Sequence, residues 1–406
     1  MIKSRLVVGL VLIAMSWLCL PGTSCAPVPN FDSHLKAITR PYRFSTAKWE
    51  LRALVGEVGK AFGRRDRADF GVSGVVEYFT NVEKIKGLES AIGAIKAGDH
   101  GDASREDELS RLRQQNAAAA GAVESLLEAQ IREVLAQQGI FNPIIEYRLR
   151  FPPVDFRLES PPYLLVVSPR DRIESLREVT LLPGMTPESM EDIEDGVDRL
   201  GVSSLVVELG GLATYPNYIT DRASLKFTLE TAVHEWLHQY LAFKPLGFLY
   251  ILDLTGLRQD YEIATMTETL VDMVSQEIGA MTYEKYYAQG EGDNAGPTAA
   301  GTGFDFNKEM REIRQAVDSY LARGEIEPAE QFMEGKRQFL ASQGYHIRKL
   351  NQAYFAFYGT YADSPTSISP IGAEMKKLRS QSASLKEFLE TAAAMTSRQD
   401  LADSIR

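Results

Sequence analysis

The segment Thr231-Ala232-Val233-His234-Glu235-Trp236-Leu237-His238-Gln239-Tyr240 contains H-E-x-x-H. On a helix, His234 and His238 lie one turn apart on one face, so both imidazoles can reach a single ion. Glu235 is rotated to the side, where its carboxylate can take a proton from a water held by that ion. With 5 His and 55 acidic residues in 406, about 0.008 such motifs are expected by chance, so the spacing is informative. The flanks predict a helix, with Asp221 as its N-cap. Leu225, Leu229, Val233, Trp236 and Tyr240 form an apolar stripe beside the two histidines. That arrangement puts the imidazoles at the border of a packed face, where a cleft floor would be.

A catalytic zinc takes three protein ligands and leaves the fourth position open. The other histidines are poorly placed to be the third: His34 lies in a linker, His100 in a polar break and His346 far along the chain. Leu241 and Lys244 stand where an H-E-x-x-H-x-x-G-x-x-H extension needs its glycine and histidine. A carboxylate is the alternative. A second helix is expected from about Tyr261 to Ile278, with Gly279 as its stop. It carries Glu268 and Asp272 one turn apart. Glu268 can serve as the ligand while Asp272 accepts the free N–H of a ligating imidazole. Glu262 is the rival third ligand.

On His234, Glu235, His238, Glu268 and Asp272 the chain resembles the gluzincin branch of the zincin metallopeptidases, the thermolysin-like group. The resemblance covers about residues 205–280. It implies Zn²⁺ bound by His234, His238 and Glu268, with Glu235 as general base and Asp272 orienting a histidine. It also implies a peptide or protein substrate seated along a sheet edge, for which Glu208–Tyr215, with Gly210 and Gly211, is the candidate; a plain glycine turn explains the same residues. Zincins often stabilise the developing oxyanion with a Tyr or His. The candidates here are His346, Tyr358, Tyr354 and Tyr361, although aromatics at helical spacing are also ordinary core.

The elements that must position these groups follow from hydrophobic periodicity. Residues 45–140 read as a helical N-terminal region. It opens with Trp49, Leu51, Leu54, Val55 and Val58 and is interrupted at 98–104. A long helix from about Asp107 to Gln138 carries Val123, Leu127, Ile131, Val134 and Leu135 on one stripe. Strands are expected at 147–151, 163–167 and 204–209, with a short acidic helix from Thr186 to Leu200 between the last two. Asn142-Pro143 ends the long helix, and from Asp221 onward the pattern is helical. The fold class is α+β: a helical N-terminal region, a small mixed sheet, the zincin-like helix pair and a helical C-terminal region. Leu241–Leu254 is strongly apolar and reads as core packed beyond the histidine helix; an apolar specificity pocket or a membrane-touching loop are the alternatives. Residues 290–303, rich in Gly, Ala and Thr, read as a loop placed to act as a lid or simply to connect.

Composition narrows the function. Lys and Arg number 44 against 55 Asp and Glu, a net charge of -11, so no nucleic-acid partner is expected. The chain is too apolar, at 44% hydrophobic, to be disordered. Lys3 and Arg5, then the uncharged run Leu6–Leu20, then Pro21-Gly22-Thr23-Ser24-Cys25, have the layout of a secretory signal. This implies export to the cell envelope. The protein would be held by a lipid on Cys25, held by an uncleaved N-terminal anchor, or released to the periplasm or exterior. Cys19 and Cys25 are the two cysteines, so no cysteine metal site exists beyond residue 25. The organisation expected is 1–25 signal, 26–44 linker, 45–140 helical region and 141–406 metallopeptidase domain. The competing expectation is a non-catalytic envelope scaffold with a structural or degenerate zinc site.

Overall fold

The computed structural model describes residues 30–44, 70–96, 103–141, 151–288 and 304–405, apart from 256, 259, 363, 365 and 368. Residues 1–25, read above as a signal, the first four residues of the expected linker (26–29), the stripe from Trp49 to Val58, all but the last residue of the strand expected at 147–151 and the whole 290–303 loop lie outside the described residues. The rest of the expected linker is described, and Phe31–Thr39 of it is helical.

The class is α+β, with two three-stranded sheets among the described residues rather than one. After α1 (Phe31–Thr39) come two long helices, α2 (Val72–Lys96) and α3 (Ala103–Gln137). They pack along one another, and a buried polar pair ties them: Asn81 donates to Asn116, which in turn donates to the Tyr78 carbonyl at 3.1 Å. The expected stripe Val123, Leu127, Ile131, Val134 and Leu135 is fully buried. It enters the same core as the helices that carry the H-E-x-x-H motif and Glu268.

The first sheet is antiparallel and ordered β3 (Arg177–Leu181), β2 (Tyr163–Pro169), β4 (Val202–Glu208). In it Leu165 lies opposite both Val179 and Val206. Its central strand is apolar on both sides because both faces are covered. Leu165 and Val167 meet α1 and α4 (Pro187–Asp198) on one face. Val166, Leu205 and Val207 meet Ala353 and Ala356 of a later helix on the other. The second sheet joins β1 (Phe156–Leu158), β6 (Asn217–Ile219) and β5 (Gly211–Leu212) in that spatial order, with β1 parallel and β5 antiparallel to β6. On the outer side of β1, the N–H groups of Phe156 and Leu158 donate to Glu128 and Glu124 of α3. The helix thereby satisfies donors that a further strand would otherwise take.

The C-terminal half is helical, as expected. α5 (Leu225–Leu241), α6 (Pro245–Leu254) and α7 (Tyr261–Tyr286) are followed by the pair α8 (Phe306–Ala322) and α9 (Ile326–Ser342). Then come α10 (Gln352–Tyr358), α11 (Ile371–Gln381), α12 (Leu385–Ala393) and α13 (Arg398–Ser404). Two boundaries differ from expectation. Ser224 caps α5, its hydroxyl accepting from the Phe227 N–H, whereas Asp221 accepts from the Ser160 hydroxyl instead. Gly279 does not end α7, which continues seven residues further to Tyr286. Its missing side chain serves packing: a Cβ there would lie 2.6 Å from Glu230 Cγ and 3.1 Å from Glu230 Cα of α5. In α7 the buried hydroxyls of Thr265, Thr267 and Thr269 donate to carbonyls one turn back, so threonine can sit inside a helix packed on all sides.

The Leu241–Leu254 run is core only in part. Leu246 and Gly247 are buried, but Phe248 and Leu254 are exposed, 52% and 62%. Among the described residues no helix is long and apolar enough to cross a membrane.

The α5–α7 contact is tight enough to test. Alanine at a helical glycine gains about 1 kcal/mol of propensity, while overpacking costs about 1–3 kcal/mol. Gly279→Ala is therefore expected to lower unfolding stability by about 1 kcal/mol in urea titration. A stabilised variant would mean that the two helices are not in close contact there.

Candidate metal centre

α5 and α7 bring the H-E-x-x-H side chains to Glu268. His234 Nε2 and His238 Nε2 are 3.2 Å apart. Glu268 Oε2 lies 3.5 Å from the first and Glu268 Oε1 3.7 Å from the second. Ligands about 2.0–2.1 Å from a tetrahedral ion stand about 3.3 Å from each other, so these three groups fit one zinc-sized ion. Among the described residues they are the one His/Cys/Asp/Glu set so arranged. Glu268 Oε2 is buried and has no hydrogen-bond partner, as an oxygen awaiting a cation would be. Asp272 Oδ1 is 3.1 Å from His234 Nδ1, which turns Nε2 of that ring toward the centre. Glu262, the rival ligand, is exposed at the start of α7 and pairs with Arg398 at 3.2 Å. Glu268 is therefore the carboxylate that joins the histidines.

Glu235 is buried beside them. The chain passes close because residue 211 is glycine: a Cβ on Gly211 would run into the Glu235 carboxylate. β5 thus lies directly against the candidate base, at the edge of its sheet. The turn after β5 is held from α5 by Gln239, whose amide donates to the Thr214 carbonyl and to Asn217 Oδ1. Asn217 Oδ1 also accepts the Thr214 N–H.

Burial sets the electrostatics. It pushes the Glu235 carboxyl up to about 7, with His234 opposing and Glu268 and Asp272 adding to the rise. It pulls the His238 imidazole down to about 4 against the pull of Glu268. Burial works against the charged forms of His234 and Glu268 too, but their partners win. Asp272 and Glu268 hold His234 well above the usual histidine range. His238 and His234, with the Tyr250 hydroxyl, hold Glu268 down to about 2. Without metal, a proton on His234 supplies the positive charge that the carboxylates require.

Two tyrosines complete the surroundings. The Tyr361 ring is 6.3 Å from His234 between centroids. Burial, then the charges of Glu268, Asp272 and Glu235, hold its phenol well above the usual range. The Tyr250 ring stacks on His238 at 5.7 Å, and its hydroxyl donates to Glu268 Oε1. The other oxyanion candidates stand elsewhere. His346 is exposed on the segment before α10. Tyr354 and Tyr358 pack on each other at 4.5 Å, with Tyr358 in the field of Arg348 and Glu208. Sequence reasoning missed Tyr250. Its signal was present as the one hydroxyl in the apolar run Pro245–Leu254, directly after the histidine helix.

No protein-family model matches the chain, and no curated protein or solved structure matches it either.

Two measurements follow from the charges. Zinc uptake at pH 7 is expected to release about one to two protons, from His234 and Glu235. Calorimetry in buffers of different ionisation enthalpy reads that number, and a buffer-independent heat would contradict the assigned charges. Glu235 has its pKa raised on folding, so its contribution to stability is present below about pH 4.5 and is lost as pH rises through about 7. Metal-free Glu235→Gln should therefore be more stable than wild type at pH 8, by up to about 3 kcal/mol. The two should converge near pH 4.5.

Proposed function

We propose that this chain is a zinc-dependent peptidase of gluzincin type, exported and held at or released outside the cytoplasmic membrane. The observation that carries the proposal is the convergence of His234, His238 and Glu268, with Glu235 buried beside them and Asp272 behind His234. A structural zinc normally has four protein ligands. Among the described residues no fourth His, Cys, Asp or Glu joins these three, which favours an open position over the scaffold alternative.

Zinc in this site would lower the pKa of a water to about 7 and polarise a scissile carbonyl. Glu235 then accepts the proton of the attacking water and delivers it to the leaving amine. Its raised pKa, about 7, suits both transfers at neutral pH. Tyr361, whose ring is 6.3 Å from His234 between centroids, is the donor for the oxyanion, because the hydroxyl of the nearer Tyr250 is already engaged by Glu268. Asp272 fixes the His234 ring. The two-residue edge β5 offers backbone groups to an extended peptide, and Gly211 lets that peptide lie close to Glu235. The signal-like layout of residues 1–25 supports envelope or extracellular polypeptides as the substrates.

Glu235→Gln is expected to retain one zinc and to lose about 10²–10⁴-fold in kcat. Tyr361→Phe should lower kcat about 10²-fold with little change in KM. Turnover of a peptide library beside metal analysis checks both. A fully active Glu235→Gln would sink the mechanism. A folded wild type that carries zinc but cleaves no peptide would return the scaffold reading.

A further inference from the structure

Tyr250 reaches the candidate centre from a third helix, and it touches two of the three ligands at once. Its hydroxyl donates to Glu268 Oε1, and its ring lies nearly parallel to the His238 imidazole, 26° apart in plane and 5.7 Å between centroids. The two Glu268 oxygens are thereby made unequal: Oε1 is satisfied by the phenol, while Oε2 is buried without a partner. The two histidines are unequal as well. His234 has Asp272 on Nδ1, whereas His238 Nδ1 is buried without a hydrogen-bond partner, and the His238 ring lies between the His234 ring and the stacked Tyr250 ring.

The helix that brings Tyr250 is only half-buried. α6 buries only Leu246 and Gly247 fully. Gly247 sits against the last turn of α5, where any Cβ would strike the Leu241 backbone. Phe248 and Leu254 face solvent. Its inward side, with Leu249 and Tyr250, packs against the main core, and the Tyr250–Glu268 hydrogen bond adds a polar attachment there, so the docking of this half-exposed helix and the setting of Glu268 are coupled.

We propose that Tyr250 is a positioning residue that holds Glu268 Oε1 and leaves Oε2 available to a metal, and that it thereby links metal binding to the docking of α6. The inference rests on the proposed metal centre and concerns which residues set its affinity. Groups that orient metal ligands typically change affinity about 10–100-fold when removed. Linkage is reciprocal: if docked α6 raises zinc affinity by that factor, zinc raises the stability of docked α6 by the same factor.

The test uses the full chain, wild type and Tyr250→Phe, titrated with zinc against a competing chelator. The phenylalanine keeps the ring over His238 and removes only the donor. Its zinc Kd should rise about 10–100-fold. The visible spectrum of the cobalt(II)-loaded protein should shift as Glu268 Oε1 becomes free to approach the ion, a change that loss of packing elsewhere would not cause. Amide exchange over residues 245–254 provides a readout that holds even if the variant folds poorly. In wild type, zinc should slow it about 10–100-fold. Equal zinc affinity in the two proteins, or exchange in α6 that zinc leaves unchanged in wild type, overturns the inference while the metal centre stands. A wild type that takes up no zinc removes both.

Discussion

Two helices that share a buried face cannot choose independently what they place at its end. α5 and α7 meet along Leu229, Val233, Leu270, Val271 and Val274, all buried, and Gly279 lets them close to contact distance with Glu230. Each helix then projects side chains with a fixed 3.6-residue period. His234 and His238 from one must stand opposite Glu268 and Asp272 from the other. The rest of the fold secures that apposition. α3 and the C-terminal helices complete the apolar surround, and β1 is tied to α3 by two buried glutamates.

The resulting site is electrostatically unfavourable without a cation. Three carboxylates and two imidazoles lie together, and desolvation acts against the charged forms of His234, Glu235, His238 and Glu268. Natural cores avoid such clusters unless each member has a partner. Here the partners are incomplete: Glu268 Oε2 and His238 Nδ1 have none. Local stability is therefore given up around groups suited to metal binding and proton transfer, as is common at working sites.

How far the sequence could be read depended on the range of the interactions involved. The H-E-x-x-H geometry was legible because spacing within one helix maps directly onto space. Glu268 and Asp272 were legible as a second pair one turn apart, and choosing Glu268 over Glu262 required only that one acid face inward. The α3 stripe and the two longer core strands followed from periodicity. The short strands β1, β5 and β6, of two or three residues, are too brief to show alternation. The role of Gly279 was misread because a glycine near the end of an apolar pattern looks like a stop. Its partner is on another helix, and no local pattern reveals that. Among the aromatics after α9, periodicity could not favour Tyr361 over Tyr358. α10 ends at Tyr358, and the turn that follows aims Tyr361 elsewhere. Tyr250 lay in a run whose apolarity suggested burial and hid its hydroxyl.

The sharing of one core by the N-terminal helices and the site helices has a consequence for how such a protein could be controlled. Many hydrolases are kept silent by a segment that is later cut away, which requires that the segment part from the catalytic body without exposing its interior. Val123, Leu127 and Ile131 are as deeply buried as Leu229 and Val233, in the same apolar cluster. Removing α2 and α3 would strip one wall from that cluster and leave β1 with two unsatisfied amides. These helices are thus an inseparable part of the body that holds the candidate centre. The same bond defines the smallest portion of the chain that could be inherited or grafted as a unit: it reaches back at least to Val72.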